Sequence, residues 1–139
     1  MTKNSILLTL LLALLTLAGC GGGQVGLSGK VVYSDDQSPL TMGTVCFETE
    51  KFLARGNIKP DGTFTVGSIK DTDGLPPGNY RVYVSDARKI IGQDKDGADI
   101  YEPLIASKFT TAATSGITIE VTSSQKNYTI EVDRYVSEK

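Results

Sequence analysis

The chain has 139 residues and a formal net charge of −2 at pH 7, which fits one domain and gives no electrostatic reason to expect a nucleic-acid partner. It contains no histidine, so catalytic triads that use histidine and HExxH zinc sites are excluded. Eight of its thirteen leucines fall within the first 19 residues. The amino terminus therefore differs in kind from the rest of the chain.

The first 19 residues have the pattern of an export signal. Lys3 provides the positive charge, and residues 6–17 form an apolar run that is short for a membrane-spanning helix. The run ends in Leu17-Ala18-Gly19-Cys20, which resembles the bacterial lipobox. The resemblance implies that residues 1–19 are cleaved as a signal peptide and that Cys20 is lipidated, anchoring the protein to a membrane. An ordinary secretory signal with an incidental cysteine is the alternative.

Residues 20–24 are predicted to be a lipidated cysteine followed by a glycine-rich tether. The residue after the cysteine is Gly21 rather than aspartate, which by resemblance to Gram-negative lipoproteins favours the outer membrane. Residues 21–24 reach at most ~14 Å, so we expect the domain to lie close to the membrane, facing the periplasm or the exterior. Cys46 is then left unpaired, and we expect it to be a buried small hydrophobe.

Apolar and polar residues alternate along short segments between residues 25 and 133, which is typical of half-buried strands. We expect the following positions to face inward: Leu27, Gly29, Val31, Tyr33, Val45, Phe47, Phe64, Val66, Tyr80, Val82, Val84, Ile117, Ile119, Val121, Tyr128, Ile130 and Val132. A turn at Lys59-Pro60-Asp61-Gly62 joins a strand near residues 54–58 to one over residues 63–69. About seven such strands predict a sandwich of two antiparallel sheets. The short spacing between consecutive strands argues against parallel pairing.

Four short motifs follow one another along this stretch. They are Leu27-Ser28-Gly29-Lys30-Val31-Val32-Tyr33, Gly43-Thr44-Val45-Cys46-Phe47, Pro60-Asp61-Gly62-Thr63-Phe64 and Asp73-Gly74-Leu75-Pro76-Pro77-Gly78-Asn79-Tyr80-Arg81-Val82. Together they resemble carboxypeptidase-regulatory-like, or transthyretin-like, modules. The resemblance covers residues 25–133 and implies an all-β, seven-stranded Greek-key sandwich of the prealbumin type, with residues 134–139 as a tail.

The same resemblance bears on activity. The enzymatic branches of the transthyretin-like superfamily use histidine-rich sites, so the resemblance implies a protein that is not an enzyme and needs no cofactor. Tyr80 is expected to turn its hydroxyl back onto loop backbone, as in the tyrosine corner of Greek-key sandwiches.

The segment 86–107 lacks strong periodicity, and connections of this length are often functional. Asp94, Asp96 and Asp99, with Glu102 beyond them, are candidate Ca²⁺ ligands because hard cations prefer carboxylate oxygens. The glycine follows the second acidic position rather than the third, which departs from the EF-hand order. A solvated hairpin tip flanked by strand-like residues 89–93 and 100–105 is the favoured alternative.

A weaker cation candidate is the stretch that contains Asp71 and Asp73, which the family resemblance explains as a turn. For carbohydrate, the candidates are Tyr83 with Arg81 on an outward strand face, or Tyr101 in the long segment. The favoured function is a non-catalytic, lipid-anchored envelope protein that acts as a structural or protein-interaction module. The alternative is a carbohydrate-binding accessory lipoprotein.

Overall fold

The computed structural model describes residues 23–70 and 72–137. The predicted signal peptide and Cys20 lie outside these residues. The described chain forms nine strands and one short 3₁₀ helix, Ser107–Thr110. The strands are β1 (Leu27–Tyr33), β2 (Thr44–Glu48), β3 (Leu53–Asn57), β4 (Thr63–Thr65), β5 (Gly78–Ser85), β6 (Arg88–Gln93), β7 (Asp99–Pro103), β8 (Ile117–Val121) and β9 (Gln125–Val132). No helix among the described residues is long and apolar enough to span a membrane.

Seven of the strands form two sheets that pack against each other as a β-sandwich. One sheet has the order β4-β1-β9 and the other the order β3-β2-β5-β8, and β6 pairs with β7 in a separate hairpin. The prediction of an all-β sandwich is therefore confirmed, with the hairpin added to the seven sandwich strands.

The prediction that every strand pairs antiparallel is wrong for one pair. Strands β1 and β9 run parallel, with Leu27 opposite Gln125 at one end and Tyr33 opposite Val132 at the other. A parallel pair needs a long crossover connection. The short spacing between strands that are consecutive in the sequence excludes such a connection between them. Here the first and last strands pair, so the whole intervening domain serves as the crossover.

A single core lies between the two sheets. Side chains of both sheets join one buried cluster, in which the rings of Phe47 and Phe64 approach to 6.0 Å between centroids. The alternating positions predicted to point inward are buried, except that Ile117 and Tyr128 are partly buried at its margin. Burying each large apolar side chain contributes about 1.5–3 kcal/mol, so this cluster is the main source of stabilising apolar burial in the described chain.

Strand β4 is shorter than the sequence pattern predicts, because the chain leaves one sheet for the other. It ends at Thr65, and two residues later Gly67 exchanges backbone hydrogen bonds of 2.8 Å with Arg55 of β3. Gly62 has a φ of +83°, so the predicted turn before β4 takes a conformation that favours glycine. Residues 67–70 and Thr72 consequently lie beside the outer edge of the four-stranded sheet.

The entry to strand β5 follows the expected tyrosine-corner arrangement. The Tyr80 hydroxyl donates a hydrogen bond of 2.6 Å to the carbonyl oxygen of Pro76, four residues earlier. Burial of the Tyr80 side chain raises its pKa. The bond ties the loop before β5 to the sandwich core.

The described amino terminus and the hairpin lie at opposite ends of the sandwich. Val25 pairs with Leu75 beside the start of β1. The hairpin base is closed by the amide of Leu104, which donates to the carbonyl of Ala87 over 2.9 Å, next to the end of β9. Since β1 has seven residues and rises about 3.3 Å per residue, roughly 20 Å separate these two ends.

Candidate interaction surfaces

The β6–β7 hairpin carries the largest concentration of exposed apolar side chains among the described strands. All six residues of β6 are exposed, as are four of the five in β7. The exposed fractions are 58% for Ile90, 57% for Ile91, 43% for Ile100 and 45% for Tyr101. Ile90 and Tyr101 are direct cross-strand neighbours, and clustered exposed apolar side chains mark interaction surfaces in soluble domains. We call these four residues the hairpin apolar patch.

Two polar contacts brace the hairpin between its strands. The guanidinium of Arg88 lies 4.2 Å from the centre of the Tyr101 ring, and Lys89 Nζ lies 2.9 Å from a carboxylate oxygen of Glu102. A two-stranded sheet is only marginally stable alone in water. Because β6 and β7 pair only with each other within the described chain, both of their outer edges keep backbone groups free for another strand.

The predicted hairpin tip is confirmed, and its carboxylates act locally. Asp94 Oδ1 accepts hydrogen bonds of 2.9 Å from the amides of Asp96 and Ala98, and Asp99 Oδ1 accepts one of 3.0 Å from Gln93 Nε2. Residues 23–70 and 72–137 bring together no group of three or more side chains suited to hold a metal ion. Of the three candidate Ca²⁺ ligands, the carboxylate of Asp94 thus acts within the turn and that of Asp99 acts as a partner of Gln93 across the hairpin, whereas Asp96 takes part through its backbone amide.

Asp73, from the second acidic stretch, also accepts hydrogen bonds within a loop. The carboxylate of Asp73 accepts hydrogen bonds through both of its oxygens, from the amides of Ser68 at 2.6 Å, Ile69 at 3.1 Å and Lys70 at 3.2 Å. These bonds lower the pKa of Asp73, and the bond from the Ser68 amide has the largest effect. Asp71 lies outside the described residues. The carboxylate thus fixes the shape of the loop that borders the four-stranded sheet.

A groove of about 800 Å³ runs along the outer face of the four-stranded sheet. Its floor includes three direct cross-strand neighbours, Arg55, Cys46 and Tyr83, from β3, β2 and β5. Residues 67–70 and Thr72 form its far wall. We call this feature the outer groove.

Tyr83 connects the outer groove to a second, shallower cleft. That cleft is lined by Glu48, Arg81 and residues 110–113, and Arg81 pairs with Glu48 at 3.6 Å. Burial, followed by the nearby Cys46 and Glu48, raises the pKa of Tyr83 to about 12. The phenol of Tyr83 thus stays protonated up to a higher pH than that of a solvated tyrosine.

Cys46 is buried as predicted, with 2% of its surface exposed, but it does not belong to the core between the sheets. It lies on the opposite face of β2, below the outer groove, with its Sγ 3.8 Å from Ser85 Oγ. Strand alternation places it outward because Val45 and Phe47 point inward. Its burial comes from neighbouring strands rather than from the second sheet.

A polar cluster closes the sandwich beside the hairpin base. The Arg134 guanidinium lies 3.8 Å above the Tyr33 ring and pairs with Asp35 at 2.8 Å and Asp36 at 2.9 Å. Hydrogen bonds from the hydroxyl and amide of Ser38, together with Arg134, lower the pKa of Asp36 to about 2. Arg134, the first residue of the predicted tail, therefore still contacts the sandwich.

Sequence patterns pointed to some residues of these surfaces and missed others. Tyr83, Arg81 and Tyr101 are placed outward as expected, although Arg88 covers one face of the Tyr101 ring. The cations Arg55, Lys59 and Lys70 of the outer groove were not identified from the sequence. They lie on different elements, and only the passage of the chain from one sheet to the other brings them together.

No protein-family model matches the chain, and no curated protein sequence matches it. Among solved structures, BcpA, the major pilin subunit of Bacillus cereus, is similar with a TM-score of 0.46 and 11% identity, over 81% of this chain and 30% of BcpA. A 9R-lipoxygenase from Cyanothece PCC8801 is similar with a TM-score of 0.42 and 16% identity, over 79% of this chain and 16% of the lipoxygenase. This chain therefore spans less than a third of either protein.

Proposed function

We propose that this protein is a non-catalytic, lipid-anchored component of the bacterial cell envelope that binds a protein partner through the hairpin apolar patch. The observation that carries the proposal is the position of this patch, at the end of the sandwich opposite the described amino terminus. The hairpin is the one part of the described chain in which two neighbouring strands are exposed on both faces.

The position of the proposed anchor supports this orientation. A lipid on Cys20 connects to the pairing of Val25 with Leu75 through only four residues, which span at most ~14 Å. The proposed anchor therefore holds that end of the sandwich at the membrane surface. The hairpin, roughly 20 Å further out along β1, then faces away from the anchoring membrane.

The chemistry of the hairpin favours a protein as the partner. Its exposed isoleucines and Tyr101 gain free energy when they leave water, at about 25 cal/mol per Å² of apolar surface buried. The free edges of β6 and β7 offer backbone donors and acceptors to an added strand. A partner that adds a strand and covers the isoleucines would satisfy both features at once.

The finer classification of the fold belongs to the same proposal. We assign the sandwich to the transthyretin-like Greek-key type, as the four sequence motifs imply. Three local features agree with that assignment: the turn glycine Gly62 at positive φ, the hydrogen bond from Tyr80 to Pro76, and the burial of the alternating residues in β1 and β2.

Site-specific photo-crosslinking in intact cells tests the proposed partner surface. A benzophenone amino acid is placed at Ile91 in the hairpin apolar patch or, as the matched control, at the exposed Thr118 on β8. We expect discrete protein adducts from position 91 and none from position 118. Adducts of equal pattern from both positions, or adducts with lipid alone from position 91, would contradict the proposal.

The proposed anchor has an independent test. Cys20→Ser should move the protein from the membrane fraction to the soluble fraction, and intact-mass analysis of the wild-type chain should show acyl groups at its amino terminus. The conservative change Cys46→Ser is the control, because that thiol is not expected to carry lipid. A membrane fraction unchanged by Cys20→Ser would refute the anchor without bearing on the hairpin.

A further inference from the structure

We infer that the outer groove is a binding site for an acidic oligosaccharide. The groove is separate from the hairpin apolar patch, so this inference does not depend on the proposed protein partner. It rests on the charge, the hydrogen-bonding groups, the size and the fixed shape of the groove.

The described lining of the outer groove carries a positive charge. Arg55, Lys59 and Lys70 contribute three cations against one carboxylate, that of Asp86. Asp86 lies 3.8 Å from the guanidinium of Arg88, which partly offsets its charge. None of the three cations forms an ion pair with another described residue. All three side chains are exposed to solvent, so an anionic ligand can reach them.

The remaining lining matches the hydroxyl groups of a sugar. Thr44, Asn57 and Ser85 present hydroxyl and amide groups along the floor. The Thr44 hydroxyl lies 3.4 Å from Asn57 Oδ1, an arrangement that leaves the amide nitrogen of Asn57 able to donate elsewhere. Tyr83 adds a partly exposed aromatic ring with a protonated hydroxyl. Cations, hydroxyls and one aromatic ring are the groups that recognise a carboxylated or sulfated saccharide.

Size separates an oligosaccharide from a simple anion. At about 800 Å³ the groove lies within the range of sites for larger small-molecule ligands and greatly exceeds the space that one sulfate or phosphate fills. It is also open along the sheet, which suits a chain that extends beyond the site. A single inorganic anion would leave most of these polar groups in contact with water only.

The wall of the groove is held in place before any ligand binds. Asp73 accepts the amide of Lys70, so the backbone that carries this cation is held within the turn. Arg55 is positioned by its 2.8 Å backbone bonds to Gly67, at the boundary between floor and wall. A ligand therefore meets cations on backbone that is already ordered, which reduces the entropy lost on binding.

Isothermal titration of the full-length chain with tetragalacturonate, and with the neutral galactose tetrasaccharide of the same linkage, tests the inference. We expect the acidic tetrasaccharide to bind and the neutral one to bind at least about tenfold more weakly. Arg55→Gln should weaken binding of the acidic tetrasaccharide about tenfold. Lys95→Gln, which removes one positive charge from the hairpin tip outside the groove, should leave binding unchanged. Circular dichroism of each variant checks folding.

Three results would overturn the inference. Equal affinity for the acidic and neutral tetrasaccharides would remove the role of the cations. Equal loss of binding in Arg55→Gln and Lys95→Gln would show a general charge effect. Complete displacement by an equal concentration of inorganic sulfate would assign a simple anion site. If tetragalacturonate fails to bind, a matched titration with sialylated and sulfated oligosaccharides decides, and absence of binding there also overturns it.

Discussion

The sandwich and the β6–β7 hairpin are both built from β-prone residues, yet they bury them very differently. In β2, Val45 and Phe47 are fully buried, whereas in β6 both Ile90 and Ile91 are more than half exposed. The sandwich strands pack against a second sheet, and the hairpin has no layer above it in the described chain. Strand propensity is therefore shared by both regions, and only the presence of a second layer decides which isoleucines and valines are buried.

The difference suggests how stability and function are divided in this molecule. The sandwich holds the chain together through apolar burial, and the hairpin is maintained by local contacts such as the bonds accepted by Asp94. Segments with few buried apolar contacts open locally with little free energy, and binding surfaces are often drawn from them. Substitutions in the two regions should consequently have unequal effects.

The largest expected effect is from Phe47→Ala, which removes a fully buried ring beside Phe64. We expect the free energy of unfolding to fall by about 3–5 kcal/mol, because the cavity adds to the lost transfer free energy. Ile91→Ala in the hairpin should change it by no more than about 0.5 kcal/mol. Urea denaturation measures both, and equal losses would contradict the division.

A smaller loss should follow from Gly29→Ala in β1. A Cβ at this position would overlap the backbone carbonyl of Tyr128 in β9, so the parallel pair would have to separate. We expect a loss of about 2–3 kcal/mol in the free energy of unfolding. Gly92 in the hairpin is the matched control, since a Cβ there meets no atom within 4 Å. If Gly29→Ala leaves the free energy of unfolding unchanged, that result would argue against the parallel pairing.

Tyr80→Phe removes the hydroxyl that donates to the carbonyl of Pro76 and leaves the ring in place. The expected cost is about 1 kcal/mol, typical of one hydrogen bond in a protein. Tyr101→Phe, at an exposed position, should cost less than about 0.5 kcal/mol. Thermal unfolding at matched concentration gives the comparison, and no difference between the variants would argue against a structural role for the Tyr80 hydroxyl.

Asp94→Ala should loosen the hairpin without lowering global stability. The change removes the acceptor for the amides of Asp96 and Ala98, so hydrogen exchange at these two amides should speed up. The free energy of unfolding should change by less than about 0.5 kcal/mol. Exchange measured by NMR distinguishes this result from a global loss, in which protected amides of β2 and β5 would speed up as well.

The smallest expected effect concerns pH at the polar cluster beside the hairpin base. Folding lowers the pKa of Asp36 from 3.8 to about 2, chiefly through the Ser38 hydroxyl. The resulting stabilisation is present above pH 3.8 and is lost as the pH falls from there through about 2. Carboxyl ¹³C titration should show a higher pKa for Asp36 in Ser38→Ala. An unchanged value would assign the shift to the Ser38 amide and Arg134 instead.

Much of the sandwich follows from local pattern, and the sequence predicted those parts. Alternation with period two identified the inward side chains of β1, β5 and β9, because strand geometry alone sends successive side chains to opposite faces. Turn chemistry likewise located Gly62 and the hairpin tip, since the conformations involved span only a few residues. The burial of Cys46 was expected, and the alternation of Val45 and Phe47 around it places it on the outer face of β2.

The remaining features depend on contacts between residues far apart in the chain, and the local sequence pattern does not predict such contacts. The parallel pairing of β1 with β9 joins the two ends of the domain, and the bridge between Arg55 and Gly67 joins one sheet to the other. Only this tertiary arrangement assembles the outer groove and sets the hairpin at the far end from Val25. The sequence by itself determined which residues form strands and turns, because those preferences are local. The tertiary structure decided which strands meet and which surfaces stay open to solvent, because long-range packing selects among many pairings that the same local pattern allows.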